Sequence, residues 1–405
     1  MNVPIADTWN GSLPILRGLA SGHLTLAALW APHNENRMLF PALLVSFLDL
    51  HSGVNSKLDM YVGAVFLIAA GGLLTWLAAK TLGKADARLV AVPVLALSLA
   101  QYENLLWAFQ VAWFLILLCL VGALVCLESP RRSWLLFSLA CVLGVIASWS
   151  SLQGLLTWPT GLVYLACAGR SRATMALWTA VGVFAGGVYG WHFPSTFLHP
   201  SLGFVFVHPA LSLHYGLRLV GGVFPWAPGS FGLAALVVLG LALVAALQLG
   251  VTLRELRLVL GLITFALLFD IVVTLGRIHQ NVPTSSRYTT YTLLLLVALY
   301  LLGLLLLSAW RGRPGHRGTA AGGAAPIVVG VIALLCCLQV GGSVTYGLKE
   351  GAAERAGREH AALVLREFRS EPDSALAAAL FPPSGPYVRE WAAWLQARRW
   401  SVFAA

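Results

Sequence analysis

The sequence predicts an all-α integral membrane protein with about ten transmembrane helices, and three observations carry that prediction. Of 405 residues, 59% are hydrophobic and only 10% are charged, against roughly 45–50% and 25% in soluble domains. Apolar runs long enough to cross a bilayer, about 20 residues, recur from Val62 to Tyr346. The basic residues behind the net charge of +10 sit mostly in short loops between those runs. In a soluble chain that charge would suggest nucleic acid; here it orients the chain in the bilayer.

Residues 1–57 hold no run of crossing length and no signal peptide with a basic start and an apolar centre. Met38 to Leu50 is too short to cross and reads as an interfacial or re-entrant helix, with Leu39, Leu43, Phe47 and Leu50 at helical spacing. Ten crossings are expected near 58–80, 88–101, 104–127, 133–149, 152–168, 173–193, 231–250, 257–275, 287–310 and 326–346. The chain thus divides into a first-loop segment (1–57), a transmembrane domain (58–346) and a small helical C-terminal cap (347–405). In the cap, Val364 and Phe368 at i, i+4 and Trp391, Trp394 and Leu395 on one face mark two helices.

Orientation follows from the short loops. One set holds Lys80, Lys84, Arg88, Arg131, Arg132, Arg170, Arg172, Arg254, Arg257, Arg311, Arg313 and Arg317, twelve in all; the alternating set holds three, Arg218, Arg277 and Arg287. Twelve against three puts the first set in the cytoplasm. The opposite, extracytoplasmic face receives 1–57, the two tight joins at Gln101 to Asn104 and Trp149 to Gln153, the 194–230 and 276–286 loops, and the tail. The joins are too short to be exposed loops, and their polar groups need burial in protein or a water-filled cavity. The long 194–230 loop is a candidate substrate-facing segment, in which Leu211, Tyr215, Arg218 and Leu219 outline a short amphipathic helix.

The six cysteines lie in apolar segments without C-x-x-C spacing and read as small core residues. Nine of the ten histidines, all but His316, fall on or beside the outer face. His192, His199, His208 and His214 show no tight i, i+4 pairing or nearby carboxylate. A divalent metal is therefore not indicated, although the sequence leaves the cofactor open. Abundant Ala, Gly and Leu, with Arg favoured over Lys, suggest a GC-rich bacterial genome, hence a bacterial cytoplasmic membrane.

Four polar clusters fall on the outer side. The first is Trp30 to Pro41, WAPHNENRMLFP, with five successive polar residues from His33 to Arg37; the others are Gln101-Tyr102-Glu103-Asn104, Trp149 to Gln153, and Pro283-Thr284-Ser285-Ser286-Arg287-Tyr288. The first is either a solvated loop or part of a site, and the convergence favours a site. Asp7, the first carboxylate of the chain, is either a helix cap or a general base for an acceptor hydroxyl. Asp270 lies within an apolar run, where a carboxyl costs a few kcal/mol. It is either functional, hydrogen-bonded between helices or paired with Arg277.

The order of features, an acid in IADTW, then WAPHNENRMLFP, then QYENLLWAFQ, then SSRYTTYTLLLL and a modest cap, resembles multi-span bacterial proteins of the GT-C glycosyltransferase type across essentially the whole chain. The resemblance implies transfer of a sugar from a polyprenyl-phosphate carrier to an envelope glycan acceptor outside the cytoplasmic membrane, with the first-loop acid, Asp7, as base. It also implies a helix before that acid, so an eleventh helix is expected upstream of Met1. In this reading His33 and Glu35 join Asp7 as catalytic residues. Arg37 shapes the acceptor and phosphate site, while Arg277, Ser285, Ser286, Arg287 and Tyr288 hold the carrier; Gln101, Glu103, Asn104 and Gln153 line the cavity. The rival is a transporter or flippase for a lipid-linked glycan, with Asp270 as a coupling carboxylate. Polar groups crowded at one face and the absence of a visible inverted repeat argue against it.

Overall fold

The computed structural model describes residues 2–83, 85–129, 133–193, 203–280, 282–312 and 319–404. Lys84, Arg131, Arg132, His199, Arg313, His316 and Arg317, used above, lie outside the described residues. Among the latter there is no strand, only an isolated bridge between His33 and Asn36. The N-terminal segment holds α1 (Ser12–Ala20), α2 (Leu26–Trp30) and α3 (Leu39–Ser52). The apolar body begins with α4 (Ser56–Leu82), α5 (Ala91–Ala96), α6 (Tyr102–Leu106), α7 (Val111–Glu128), α8 (Trp134–Ser148), α9 (Thr157–Cys167) and α10 (Arg172–Gly190). It continues through α11 (Gly203–Val207), α12 (Pro209–Val220), α13 (Pro228–Gln248), α14 (Leu253–Arg277) and α15 (Thr289–Gly312). The chain closes with α16 (Ala320–Arg366), α17 (Asp373–Ala379) and α18 (Gly385–Arg398).

Among the described residues, eight helical stretches are long and apolar enough to cross a membrane: Ser56–Leu82, Ala87–Leu106, Ala108–Glu128, Arg172–Gly190, Pro228–Gln248, Leu253–Arg277, Ser286–Gly312 and Ala320–Arg366. The protein is an all-helical, multi-pass membrane protein. These stretches match eight of the ten expected crossings. The other two, 133–149 and 152–168, are helical as α8 and as the 3-10 turn Leu152–Leu156 with α9, but are shorter than a bilayer crossing.

Local chemistry sets the helix ends. Asn55 caps α4 through its side-chain oxygen, Gly83 ends it at φ +69°, and Thr252 with Glu255 builds a reciprocal cap at the start of α14. α15, apolar all round and buried along most of its length, is the centre of the bundle, with α5, α12, α13, α14 and α16 packed on it. Elsewhere small residues admit large rings. Trp158 rests against Gly144 and Gly182, Trp178 against Gly161, and both indoles donate hydrogen bonds, Trp158 to Ser148 Oγ (2.8 Å) and Trp178 to the Trp158 carbonyl (2.8 Å).

Three elements refine the expected layout. The last crossing and the first cap helix are one continuous 47-residue helix, α16, which runs through Gly347. In α3, Leu43 and Phe47 of the periodic apolar set are exposed, while Pro41, Val45, Ser46 and Asp49 are buried. The 194–230 segment is no open loop where it is described: α12 packs on α13 and α14 with Tyr215 and Leu219 buried, although Leu211 is exposed.

A second apolar core joins the two ends of the sequence. Trp9, Leu13, Leu16 and Val54 pack with Leu365, Phe368, Leu376, Val388, Trp391 and Leu395. The Ala6 N–H donates to the Leu380 carbonyl (2.6 Å) and the Ser401 N–H to the Gly53 carbonyl (2.7 Å). At the far end of the bundle, Arg257 pairs with Glu128 (2.6 Å), which also accepts a hydrogen bond from the Tyr164 hydroxyl.

Candidate functional site

The four polar clusters meet at the capped end of the bundle. His33 to Asn36 form a tight turn closed by reciprocal backbone hydrogen bonds, His33 N–H to Asn36 O (2.7 Å) and Asn36 N–H to His33 O (3.0 Å). Asn34 takes the left-handed conformation the turn requires, φ 51°, which Asn tolerates better than most residues. Asn36 then reaches the Trp149–Gln153 join: its Oδ1 accepts from Ser151 Oγ (2.6 Å) and the Leu152 N–H (3.1 Å). Gln153 accepts from the same Ser151 hydroxyl (2.9 Å).

Arg37 is not the open phosphate ligand expected of it. It is 2% exposed, and its guanidinium donates to three carbonyls, those of Tyr189 (2.6 Å), Trp30 and Trp191, while lying over the Trp30 ring. The Tyr189 hydroxyl completes the strut by donating to the Glu35 carbonyl (2.7 Å). A charge buried this way needs all its donors satisfied, so Arg37 fixes the turn rather than binding ligand.

The second pair of clusters is knitted just as closely. Glu103 accepts from Ser285 Oγ (2.9 Å) and the Ser286 N–H (3.1 Å), and Ser286 Oγ donates to the Ala100 carbonyl (2.6 Å). Asn104 Nδ2 donates to the Arg287 carbonyl (2.8 Å) and to Thr290 Oγ1 (2.7 Å). Gln101 Oε1 accepts from Thr290 Oγ1 (2.8 Å). Gln101, Glu103, Asn104, Ser285 and Ser286 therefore lock α6 onto the start of α15: the first three, expected to line the cavity, and the two serines, expected to hold the carrier, form a latch.

What remains open to a ligand is smaller. Asp7 sits on the 3-10 turn Ala6–Thr8, next to buried Trp9, whose Nε1 donates to the Pro4 carbonyl (3.1 Å). Asp7 Oδ1 stands 3.7 Å from His33 Nε2, with the Asp7 side chain 36% and that of His33 14% exposed. The separation is too long for a direct hydrogen bond, and His33 Nε2 has no other partner. The buried His33 Nε2 thus lacks a partner, and the partly exposed Asp7 carboxylate keeps bonding capacity. His33, though not Asp7, also lines a cavity of about 280 Å³ of mixed polar and apolar character, with Asn10, Ser12, Ile15, Met38 and Phe109 among its other walls.

Glu35 pairs with Arg277, both partly exposed, so neither stands alone as a catalytic acid or a free phosphate ligand. Asp7 and Arg287 lie within electrostatic reach of Arg277. Arg287 forms no ion pair among the described residues; its guanidinium lies 5.3 Å from the centre of the buried Tyr288 ring. Asp270 is not paired with Arg277 as one expectation had it: it accepts from Thr292 Oγ1 (3.0 Å), and its other oxygen is buried without a partner. Among the described residues no three His, Cys, Asp or Glu side chains converge as a metal site.

No protein-family model, curated protein or solved structure matches the chain.

Two carboxyls escaped the reading of the sequence: Asp49 and Asp59, buried at 1% and 2% exposure in α3 and α4. The signal was present, since only sixteen Asp and Glu occur in the chain and these two stand in apolar helices. Phe109 and Tyr189 were also missed, and nothing in the sequence sets them apart from other aromatic residues in apolar runs.

Proposed function

We propose that the protein is an inverting, GT-C-like glycosyltransferase that moves a sugar from a polyprenyl-phosphate carrier to an envelope glycan acceptor at the outer face of a bacterial cytoplasmic membrane. The observation carrying this reading is the 3.7 Å Asp7–His33 gap, whose His33 also lines a cavity, with Arg287 on the same end of the bundle. In the reaction the acceptor oxygen attacks the anomeric carbon while its proton passes to the Asp7 carboxylate. The bond between that carbon and the phosphate oxygen breaks, and the lipid phosphate leaves with the electron pair. His33 orients the acceptor hydroxyl, and Arg287 meets the charge that grows on the phosphate. Arg277 contributes once the phosphate competes with Glu35 for its guanidinium. The cavity offers room for a sugar ring or a short length of chain, near the small end of ligand pockets.

Asp270, buried with one unpartnered oxygen, favours a second reading, a transporter that carries the lipid-linked glycan without cleaving it. One assay separates the two: turnover of radiolabelled polyprenyl-phosphate sugar by purified wild type and Asp7→Asn. Asn keeps the shape of the side chain but accepts no proton, so transfer should fall by about 10²- to 10⁴-fold with carrier binding nearly unchanged. Undiminished transfer by the variant would remove Asp7 from the chemistry, and intact carrier lipid moved across vesicles without cleavage would favour the transporter.

A further inference from the structure

Asp49 and Asp59 are buried close enough for the charge of one to repel the other, and no Lys, Arg or His pairs with either among the described residues. Each keeps one carboxyl oxygen without a hydrogen-bond partner. Two further buried oxygens without partners belong to α3 itself and to a turn packed on α4. Ser46 Oγ, 1% exposed, is one helical turn before Asp49 and so on the same face of α3. Gln110 Oε1, on a 5% exposed residue, belongs to the turn Ala108–Gln110 that packs on α4. Gly63, one turn after Asp59, faces the start of α7: a Cβ there would stand 3.1 Å from Phe114 Cδ2 and in ordinary contact, 3.7 Å, with Val111 Cα, the residue after Gln110.

Four buried oxygens without hydrogen-bond partners, two of them on carboxyls, are expensive, and a positive charge among them would offset that cost. An all-oxygen donor set of formal charge −2 matches a hard divalent cation and suits neither zinc nor copper. We propose that Asp49 and Asp59, with Ser46 Oγ and Gln110 Oε1, bind one divalent cation of the Ca²⁺ or Mg²⁺ type, which ties α3 to α4. The elbow it would brace, Gly53 to Asn55, is the one on which the C-terminal unit rests: the Gly53 carbonyl accepts from Ser401, and Trp400 lies against Gly53. The site is therefore structural and distinct from the Asp7–His33 gap.

The test uses the full chain in detergent, stripped with chelator and buffered at about pH 9 so that protons compete little for the carboxyls. Equilibrium dialysis with Ca²⁺ and, in a separate arm, Mg²⁺ should find one bound ion per chain, and saturating cation should raise the thermal midpoint by about 3 °C or more. Asp49→Asn with Asp59→Asn should lose both effects, while Asp7→Asn should keep them. Should the double variant fail to fold, Ser46→Ala removes a single neutral ligand and should weaken binding by about tenfold. Wild type that binds neither cation overturns the proposal, as does binding unaffected by Ser46→Ala and by the Asp substitutions. A midpoint raised by acidification but by neither cation would assign the pair a shared proton and would also overturn it.

Discussion

Arg37 and Arg287 carry the same guanidinium at the same end of the bundle and meet opposite surroundings. Three carbonyls take up one donor from each nitrogen of the Arg37 guanidinium, which is buried away from any ligand, whereas Arg287 forms no ion pair among the described residues and lies beside the Tyr288 ring, within electrostatic reach of Arg277. A planar fork that grips two phosphate oxygens at once is not replaced by an ammonium. Arg287→Lys should therefore fold as wild type does, yet bind polyprenyl phosphate about tenfold more weakly, a loss of about 1.4 kcal/mol. Equal affinity in a direct binding titration would make Arg287 an anchor of the helix end instead. Glu35 shows the same dependence on surroundings: its carboxylate reads as a candidate acid in the sequence, but in the fold it belongs to Arg277.

Between elements, the joins are tighter than the helices they connect. At Gly154, in the turn after the Trp149–Gln153 cluster, a Cβ would lie 1.7 Å from the Ala147 carbonyl oxygen. Gly154→Ala should destabilise the protein by about 2–3 kcal/mol or more, seen as a lower thermal midpoint in detergent; an unchanged midpoint would contradict this packing. Helix positions were legible from the sequence because apolar length is a one-dimensional signal, and Ser56–Leu82 falls within two residues of the expected 58–80 at each end. The partners of Asn36, Glu103 and Asn104 were not, since they lie more than a hundred residues away along the chain. Nor was the continuity of α16, because Gly341, Gly342 and Gly347 interrupt helices in water but are tolerated in membrane helices. In α3 the periodicity marked the set that includes the exposed Leu43 and Phe47 and said nothing of Asp49, which turns inward.

For the whole molecule, the two ends of the chain fold into one cap that sits over the polar clusters and pins Asp7 through the contact from Ala6 to Leu380. The opposite end is tied by Glu128 and Arg257 and carries most of the basic loops. Convergence of the clusters at one end is a matter of geometry; that this end faces outward rests on the charge count. The central claim, a site assembled on the outer side beneath the cap, depends on both. It is tested most directly by a thiol reagent that cannot cross the membrane, applied to intact cells carrying a single added cysteine at the exposed position Ala353, in the capped end, or Thr252, at the opposite end. The account predicts that Ala353→Cys labels above the wild-type background at once and Thr252→Cys only after permeabilisation. The reverse pattern would place the Asp7–His33 gap on the cytoplasmic side and contradict it.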